Sequence, residues 1–98
     1  MPLTLRPKDL KTLQILFKRF PEIREARIFG SRAKGTFKRA SDIDLAVAAP
    51  TMSAVKWAEF REALEETPVV FEYDLVRLDE LPPGPFRNKI LADGFSIL

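Results

Sequence analysis

The sequence predicts an α+β fold in which a mixed β-sheet carries helices packed mainly on one face. Amphipathic helical segments alternate with short segments rich in β-branched and aromatic residues. Along the chain the order is helix, strand, turn, strand, helix, strand, helix, strand, which implies a mixed sheet with helices on one side. A chain of 98 residues has room for one small core, so we expect a single domain over residues 1–98.

The first half of the chain predicts one helix, one strand and a polar turn. Apolar residues recur at helical spacing between Pro7, which suits a first helical position, and Pro21, which stops the run. A strand over 26–29 then ends at Gly30. The polar segment 31–39 has room for one short helical turn.

The second half predicts three strands separated by two helices. Apolar and other residues alternate over 42–47, which marks a strand, and an amphipathic helix capped by Ser53 follows. The segment 69–76 is the most convincing strand because β-branched and aromatic residues dominate it. A helix over 86–92 and an edge strand over 95–98 complete the predicted sheet.

Composition excludes several kinds of site. The chain has no cysteine and no histidine, which excludes disulfides, thiolate nucleophiles and imidazole bases. A bound metal would need oxygen ligands, which favours Mg²⁺, Mn²⁺ or Ca²⁺ over zinc. The apolar runs are too short to span a bilayer and the first residues lack the signal-peptide pattern, so we expect a cytoplasmic protein.

Charge is distributed unevenly along the chain. Residues 1–39 carry eleven Lys and Arg against three Asp and Glu, a balance of +8, whereas residues 40–98 carry five against eleven, a balance of −6. A basic half is typical of a protein that meets an anionic partner, such as phosphate, nucleic acid or an acidic protein face. The alternative is a solvated surface without a specific role.

Three features of the sequence could carry chemistry. Asp42 and Asp44 are two residues apart in a predicted strand, so both point to one face, where a divalent cation would relieve their repulsion. Gly30 and Ser31 end a strand and could present backbone N–H groups to a phosphate. Asp74 interrupts an apolar strand and would add a third carboxylate if it shares the face of the other two.

Each of these features also has a purely structural interpretation. The first two acids could be solvated at a strand start, the Gly-Ser pair could be a plain turn with a helix N-cap, and Asp74 could share a solvated face with Glu72. Asp79 and Glu80 follow the strand, and we expect both at the surface.

Taken together, the three features resemble a known family. Gly30-Ser31, ten further residues and then Asp42-Ile43-Asp44 match the Gly-Ser-x10-Asp-x-Asp signature of the DNA polymerase β-like nucleotidyltransferase superfamily. The stretch IFGSRAKGTFKRASDIDLAV over 28–47 is similar to the minimal nucleotidyltransferase branch. The resemblance extends to the YDLV that contains the distal acid and to the ending ILADGFSIL.

The resemblance implies a polymerase β-like fold and a magnesium-dependent transfer of a nucleoside monophosphate, AMP from ATP, to a hydroxyl group with release of pyrophosphate. Two Mg²⁺ ions, or Mn²⁺ in their place, would be the cofactors. The catalytic and metal-binding residues that it implies are Asp42, Asp44 and Asp74, and the nucleotide-binding residues are Gly30, Ser31 and Arg32.

The resemblance also implies a partner. Minimal members are typically encoded beside a small helical protein of the HEPN or substrate-binding type, and in many pairs they act as antitoxins that transfer AMP to an RNase toxin. Two alternatives stay open: a nucleotidyltransferase that modifies a small molecule with a separate substrate-binding subunit, and a non-catalytic binding partner. The intact acids and Gly-Ser pair argue against the second alternative. Nucleic acid is not an expected partner because basic and aromatic residues do not interleave.

Overall fold

The computed structural model describes residues 7–30, 43–68 and 73–98. Within these ranges the elements follow the predicted order, with one short 3₁₀ turn over Leu78–Glu80 after the third strand. The elements are α1 (Pro7–Lys18), β1 (Glu25–Phe29), β2 (Ile43–Ala48), α2 (Ala54–Glu65), β3 (Tyr73–Arg77), α3 (Pro85–Asp93) and β4 (Phe95–Ser96).

The four strands form one mixed sheet in the order β3-β2-β1-β4. Strand β1 runs antiparallel to both β2 and β4, whereas β2 and β3 are parallel. The C-terminal end of β1 therefore lies beside the N-terminal ends of β2 and β3. This arrangement confirms the predicted α+β class with a mixed sheet. It also brings the ends of three strands together at one end of the sheet, which we call the acidic sheet edge.

Helices cover both faces of the sheet unequally. Helices α1 and α2 pack on one face, against the inward side chains of β2 such as Leu45 and Val47. Helix α3 packs on the other face through Ile90, which contacts a smaller cluster that includes Ala46. Two of the three helices in the described ranges thus share a face, as the sequence predicts.

Phe60 explains why α2 packs where it does. Its ring is fully buried and is surrounded by Phe17, Phe20 and Trp57, with ring centroids 6.3, 5.3 and 5.5 Å away. Burying an aromatic side chain of this size stabilises the fold by about 1.5–3 kcal/mol. Removal of this ring would therefore loosen the contact between α1 and α2.

The local signals at helix ends agree with the structure. Ser53 caps α2, and its hydroxyl accepts a hydrogen bond from the Lys56 N–H at 3.1 Å. Helix α1 begins at Pro7 as predicted and ends at Lys18, so Phe20 is buried from the turn that follows the helix.

Some predicted boundaries differ. Strand β3 extends one residue beyond the predicted end, to Arg77, while residues 69–72 lie outside the described ranges. Strand β4 has only two residues, and its pairing with β1 is extended by the Ile97 N–H, which donates to the Ala26 carbonyl at 2.9 Å. None of the helices in the described part of the chain has the length and apolar character needed to cross a membrane.

Candidate active site

The three strand ends that meet at one end of the sheet carry two of the acids and the glycine that the sequence singles out. Asp44 pairs with Phe29 of β1 on one side and with Asp74 of β3 on the other. Neighbouring strands lie about 4.8 Å apart, so the backbones of Asp44 and Asp74 are directly adjacent. Gly30 follows β1 directly at the same edge.

Both carboxylates belong to the face of the sheet that α3 partly covers. Asp44 has the same strand parity as Ala46, and Asp74 has the same parity as Val76, and both of these apolar residues pack in the cluster around Ile90. Asp44 is half-buried in the centre of the sheet, whereas Asp74 is exposed because β3 is an edge strand. Two like charges at paired positions repel each other, and a bound cation would offset that cost.

The backbone conformation and the close approach of Asp44 both require a glycine at position 30. Its φ of +71° lies in the left-handed region, and a Cβ built on it would lie 2.3 Å from Oδ2 of Asp44. A side chain at this position would collide with the carboxylate, so only glycine allows the chain to turn here beside the acid. The left-handed turn at Gly30 therefore lies directly beside the Asp44 carboxylate.

The structure places three of the six predicted site residues and brings them together: Gly30, Asp44 and Asp74. The other three, Ser31, Arg32 and Asp42, lie outside the described residues, and their roles stay predictions. Over 7–30, 43–68 and 73–98, no group of three acidic side chains forms a complete metal site. The sequence offers Asp42 as the third acid.

The donors that are placed fit a divalent cation of the magnesium type. Asp44 and Asp74 provide carboxylate oxygens from adjacent strands, and Gly30, which has no side chain, lies beside Asp44. Hard cations such as Mg²⁺ prefer oxygen ligands of this kind and usually share them with substrate phosphates.

The opposite ends of β2 and β3 hold a second charged cluster that the sequence did not reveal. Asp79, expected at the surface, has a side chain only 13% exposed, and that expectation was wrong. Its Oδ1 accepts a hydrogen bond from the Ala49 N–H at 2.9 Å, and its Oδ2 lies 3.2 Å from Nε of Arg77. Glu80 lies at the surface as expected.

Arg77 joins this cluster to the segment between β2 and α2. One of its terminal nitrogens donates to the carbonyls of Ala49 and Met52 at 3.0 and 2.7 Å, and its guanidinium lies 5.0 Å from the ring centroid of Trp57. We refer to Arg77 and Asp79 with these partners as the Arg77 cluster. Its partners are mostly backbone atoms, which carry no sequence signal, so only the spacing of Arg77 and Asp79 could have suggested it.

Comparison with known proteins agrees with this fold. The family model described as "Polymerase beta, Nucleotidyltransferase" matches residues 11–98. The structure is similar to a crystal structure of a toxin–antitoxin with AMP-PNP, at 24% identity and a TM-score of 0.71, over 92% of this chain and 73% of that one. No curated protein matches the sequence.

Two further solved structures are similar. A mutant of the toxin–antitoxin MntA–HpeT shares 24% identity at a TM-score of 0.66, over 90% of this chain and 70% of that one. A candidate nucleotidyltransferase from Sulfolobus solfataricus shares 21% identity at a TM-score of 0.56, over 90% and 74%. At these identities the similarities show the fold.

Proposed function

The chain belongs to the polymerase β nucleotidyltransferase family, and from this we propose that its acidic sheet edge transfers AMP from ATP to an acceptor hydroxyl in a magnesium-dependent reaction. The observation that carries the proposal is the position of Asp74 directly beside Asp44, next to the turn at Gly30, where a side chain would collide with the Asp44 carboxylate. Two adjacent carboxylates repel each other, and a divalent cation between them would offset that repulsion.

Asp44 and Asp74, with Asp42 as the third acid, would hold two Mg²⁺ ions, for which Mn²⁺ is a chemical substitute. When bound, these ions would neutralise the triphosphate and the charge that develops on the leaving pyrophosphate. The oxygen-only donor set is consistent with a chain that has no histidine or cysteine.

Exposure suggests how the acids divide their roles. Asp74 is exposed on the edge strand, where an acceptor hydroxyl can reach it from solvent. We therefore propose that the Asp74 carboxylate accepts the proton of that hydroxyl. The hydroxyl oxygen then forms a bond to the α-phosphorus, and the bond from that phosphorus to the pyrophosphate oxygen breaks. Asp44 lies inside, beside Gly30, on the side where the nucleotide would bind.

The residues around Gly30 would bind the triphosphate. The left-handed turn at Gly30 lets a phosphate approach the backbone closely, and Ser31 would add its N–H and hydroxyl as donors. Arg32 would add a positive charge. These groups hold and orient the nucleotide, and orientation together with charge neutralisation supplies most of the rate in phosphoryl transfer.

We propose a helical protein of the HEPN or substrate-binding type as the partner that carries the acceptor hydroxyl, with this chain as the antitoxin of the pair. Two similar structures are toxin–antitoxin proteins, one with AMP-PNP, which supports a nucleotide and a protein partner. Helix α1 adds a surface for docking: Lys8, Lys11 and Lys18 are exposed on it, and it packs on the sheet face opposite the acids.

A label-transfer experiment tests the proposal. The chain and the protein encoded beside it are incubated with Mg²⁺ and ATP labelled at either the α- or the γ-phosphate. We expect α-label in the partner protein, a mass gain of one AMP unit, and no γ-label. Asp44→Asn should lower the rate by more than about 100-fold, because loss of a residue that only hydrogen-bonds to a metal ligand already costs about 10- to 100-fold. Glu80→Gln changes an exposed acid remote from the site and should leave the rate unchanged.

Transfer of γ-label would contradict the proposal, and so would equal rates for Asp44→Asn and the unmodified chain. α-Label that appears in a small molecule of the cell extract, with none in the partner, would favour the small-molecule enzyme instead. Stable partner binding without any label transfer would identify a non-catalytic binding partner.

A further inference from the structure

A cavity of about 160 Å³ opens between the end of β1 and helix α3, on the same sheet face as the two acids. One side is formed by the strand end and the other by a continuous stripe of α3, whose members are three, four and seven residues apart. The lining residues are Phe29, Gly30, Phe86, Lys89, Ile90 and Asp93.

The size and lining of the cavity fit a planar ring. An apolar protein cavity of about 150 Å³ holds one benzene molecule, whereas sites for drug-sized ligands begin at about 300 Å³. This cavity therefore accepts a ring system and not a whole nucleotide. Phe29 and Phe86 both line the cavity, and their rings contact each other edge to face with centroids 6.0 Å apart.

Phe86 contacts Phe29 but keeps a large exposed apolar surface. Its side chain is 52% exposed although it is a large apolar group at the cavity wall. A flat ring placed against it would remove that surface from water, and stacking of a base on an aromatic side chain contributes about 1–3 kcal/mol. Lys89 and Asp93 line the same cavity, and the Lys89 ammonium group is a charged donor for the edge of such a ring.

Gly30 connects the cavity to the acids. It lines the cavity, and the position of its absent Cβ is 2.3 Å from the Asp44 carboxylate. A ligand that places phosphates beside Gly30 and Asp44 therefore has the cavity within its own length. A free aromatic compound would not use the acids, and an inorganic phosphate would not use the cavity, whereas a nucleotide uses both.

We propose that this cavity, lined by Phe86 and the end of β1, is the subsite for the nucleobase of the nucleoside triphosphate. The inference rests on the proposed function and adds to it the surface that distinguishes a nucleotide from a bare polyphosphate. Lys89 is the charged donor in the described lining, so base preference should depend on it.

Calorimetry with two ligands tests the subsite. Mg²⁺–ATP and Mg²⁺–tripolyphosphate are titrated into the unmodified chain, Phe86→Ala, Phe86→Tyr and Leu91→Ala. We expect Phe86→Ala to weaken ATP binding about 10-fold, the equivalent of one stacking contact, and to leave tripolyphosphate binding unchanged. Phe86→Tyr keeps the ring and should keep the affinity. Leu91→Ala is the matched control, an exposed apolar residue of the same helix that does not line the cavity.

Any of the following results would overturn the assignment of the cavity as a nucleobase subsite. Equal weakening of both ligands would mean that Phe86 acts only through the fold, which the melting temperatures of the variants would show. Unchanged binding of both ligands, with loss of partner binding in Phe86→Ala, would make the cavity an anchor for a partner side chain. Equal affinity of the unmodified chain for the two ligands would overturn the base subsite alone. Absence of binding for both ligands would overturn the proposed function as well.

Discussion

Acidic side chains lie at both ends of the β2–β3 pair, and the two ends accommodate them differently. At the C-terminal end, Asp79 is mostly buried, is paired with Arg77 and accepts a hydrogen bond from a backbone N–H. At the N-terminal end, Asp44 lies beside another acid, Asp74. The same pair of strands thus presents an acid that the fold satisfies and two acids that repel each other.

The difference separates structural from functional charge. A buried acid with an arginine and a backbone donor is held by the protein itself, and its removal mainly affects folding. Two adjacent like charges repel each other, and a bound divalent cation would offset that repulsion. We therefore expect substitutions at the Arg77 cluster to change stability, and substitutions at the acidic edge to change ligand binding.

The largest effect on stability is expected at the Arg77 cluster. Arg77→Ala removes hydrogen bonds to two carbonyls, the ion pair with Asp79 and the contact with Trp57. Loss of such a partly buried charged group should lower the free energy of unfolding by about 3 kcal/mol. For a chain of this length that corresponds to a fall in melting temperature of roughly 10–20 °C, measured by circular dichroism.

The matched control is Arg61→Ala, in which an exposed arginine of α2 is lost. Surface substitutions usually stay within about 0.5 kcal/mol. If both variants melted at the same temperature, the Arg77 cluster would have no special structural role and the contrast between the two sheet ends would fail.

A smaller effect, at the other end of the sheet, is expected for Gly30→Ala. The left-handed backbone costs a non-glycine residue about 1–2 kcal/mol, and the new Cβ would also push the Asp44 carboxylate aside. Mg²⁺–ATP affinity should therefore fall together with stability, as measured by calorimetry and thermal melting.

A double-mutant cycle separates the two causes. In an Asp44→Ala background the collision disappears, so Gly30→Ala should cost only the backbone contribution of about 1–2 kcal/mol. An equal cost in both backgrounds would show that the carboxylate does not contact this turn.

More of the fold than of the candidate site could be predicted from the sequence. Helix starts at Pro7 and Ser53 and the end of the strand before Gly30 depend on local chemistry, and the structure agrees with each of them. The parity of Asp44 and Asp74 is likewise local to each strand, but their register is not. It depends on how β3 pairs with β2, which no residue pattern within one strand specifies.

What the sequence could not reveal depends on contacts between distant segments. The role of Asp79 comes from a backbone N–H thirty residues earlier, at Ala49, and the cavity exists because α3 returns to cover the end of β1. No sequence pattern around Phe29 or Phe86 predicts the contact between their rings. Such features follow from packing, so they become visible only when the elements are placed.

The most direct test of the account is the melting temperature of the unmodified chain and of Asp44→Asn, each with and without Mg²⁺–ATP. Relief of the repulsion between Asp44 and Asp74 is worth about 0.2–1 kcal/mol, so the ligand-free variant should melt a few degrees higher. A ligand at 100 times its Kd stabilises by about 2.7 kcal/mol, and this gain should appear in the unmodified chain and disappear in Asp44→Asn.

Asp79→Asn completes the measurement, because it should melt lower without ligand and keep the full gain from Mg²⁺–ATP. Loss of the gain in Asp44→Asn alone is the result that the account predicts. An equal gain from Mg²⁺–ATP in the unmodified chain and in Asp44→Asn would contradict it, because the acidic sheet edge would then not be the site at which the metal and nucleotide bind.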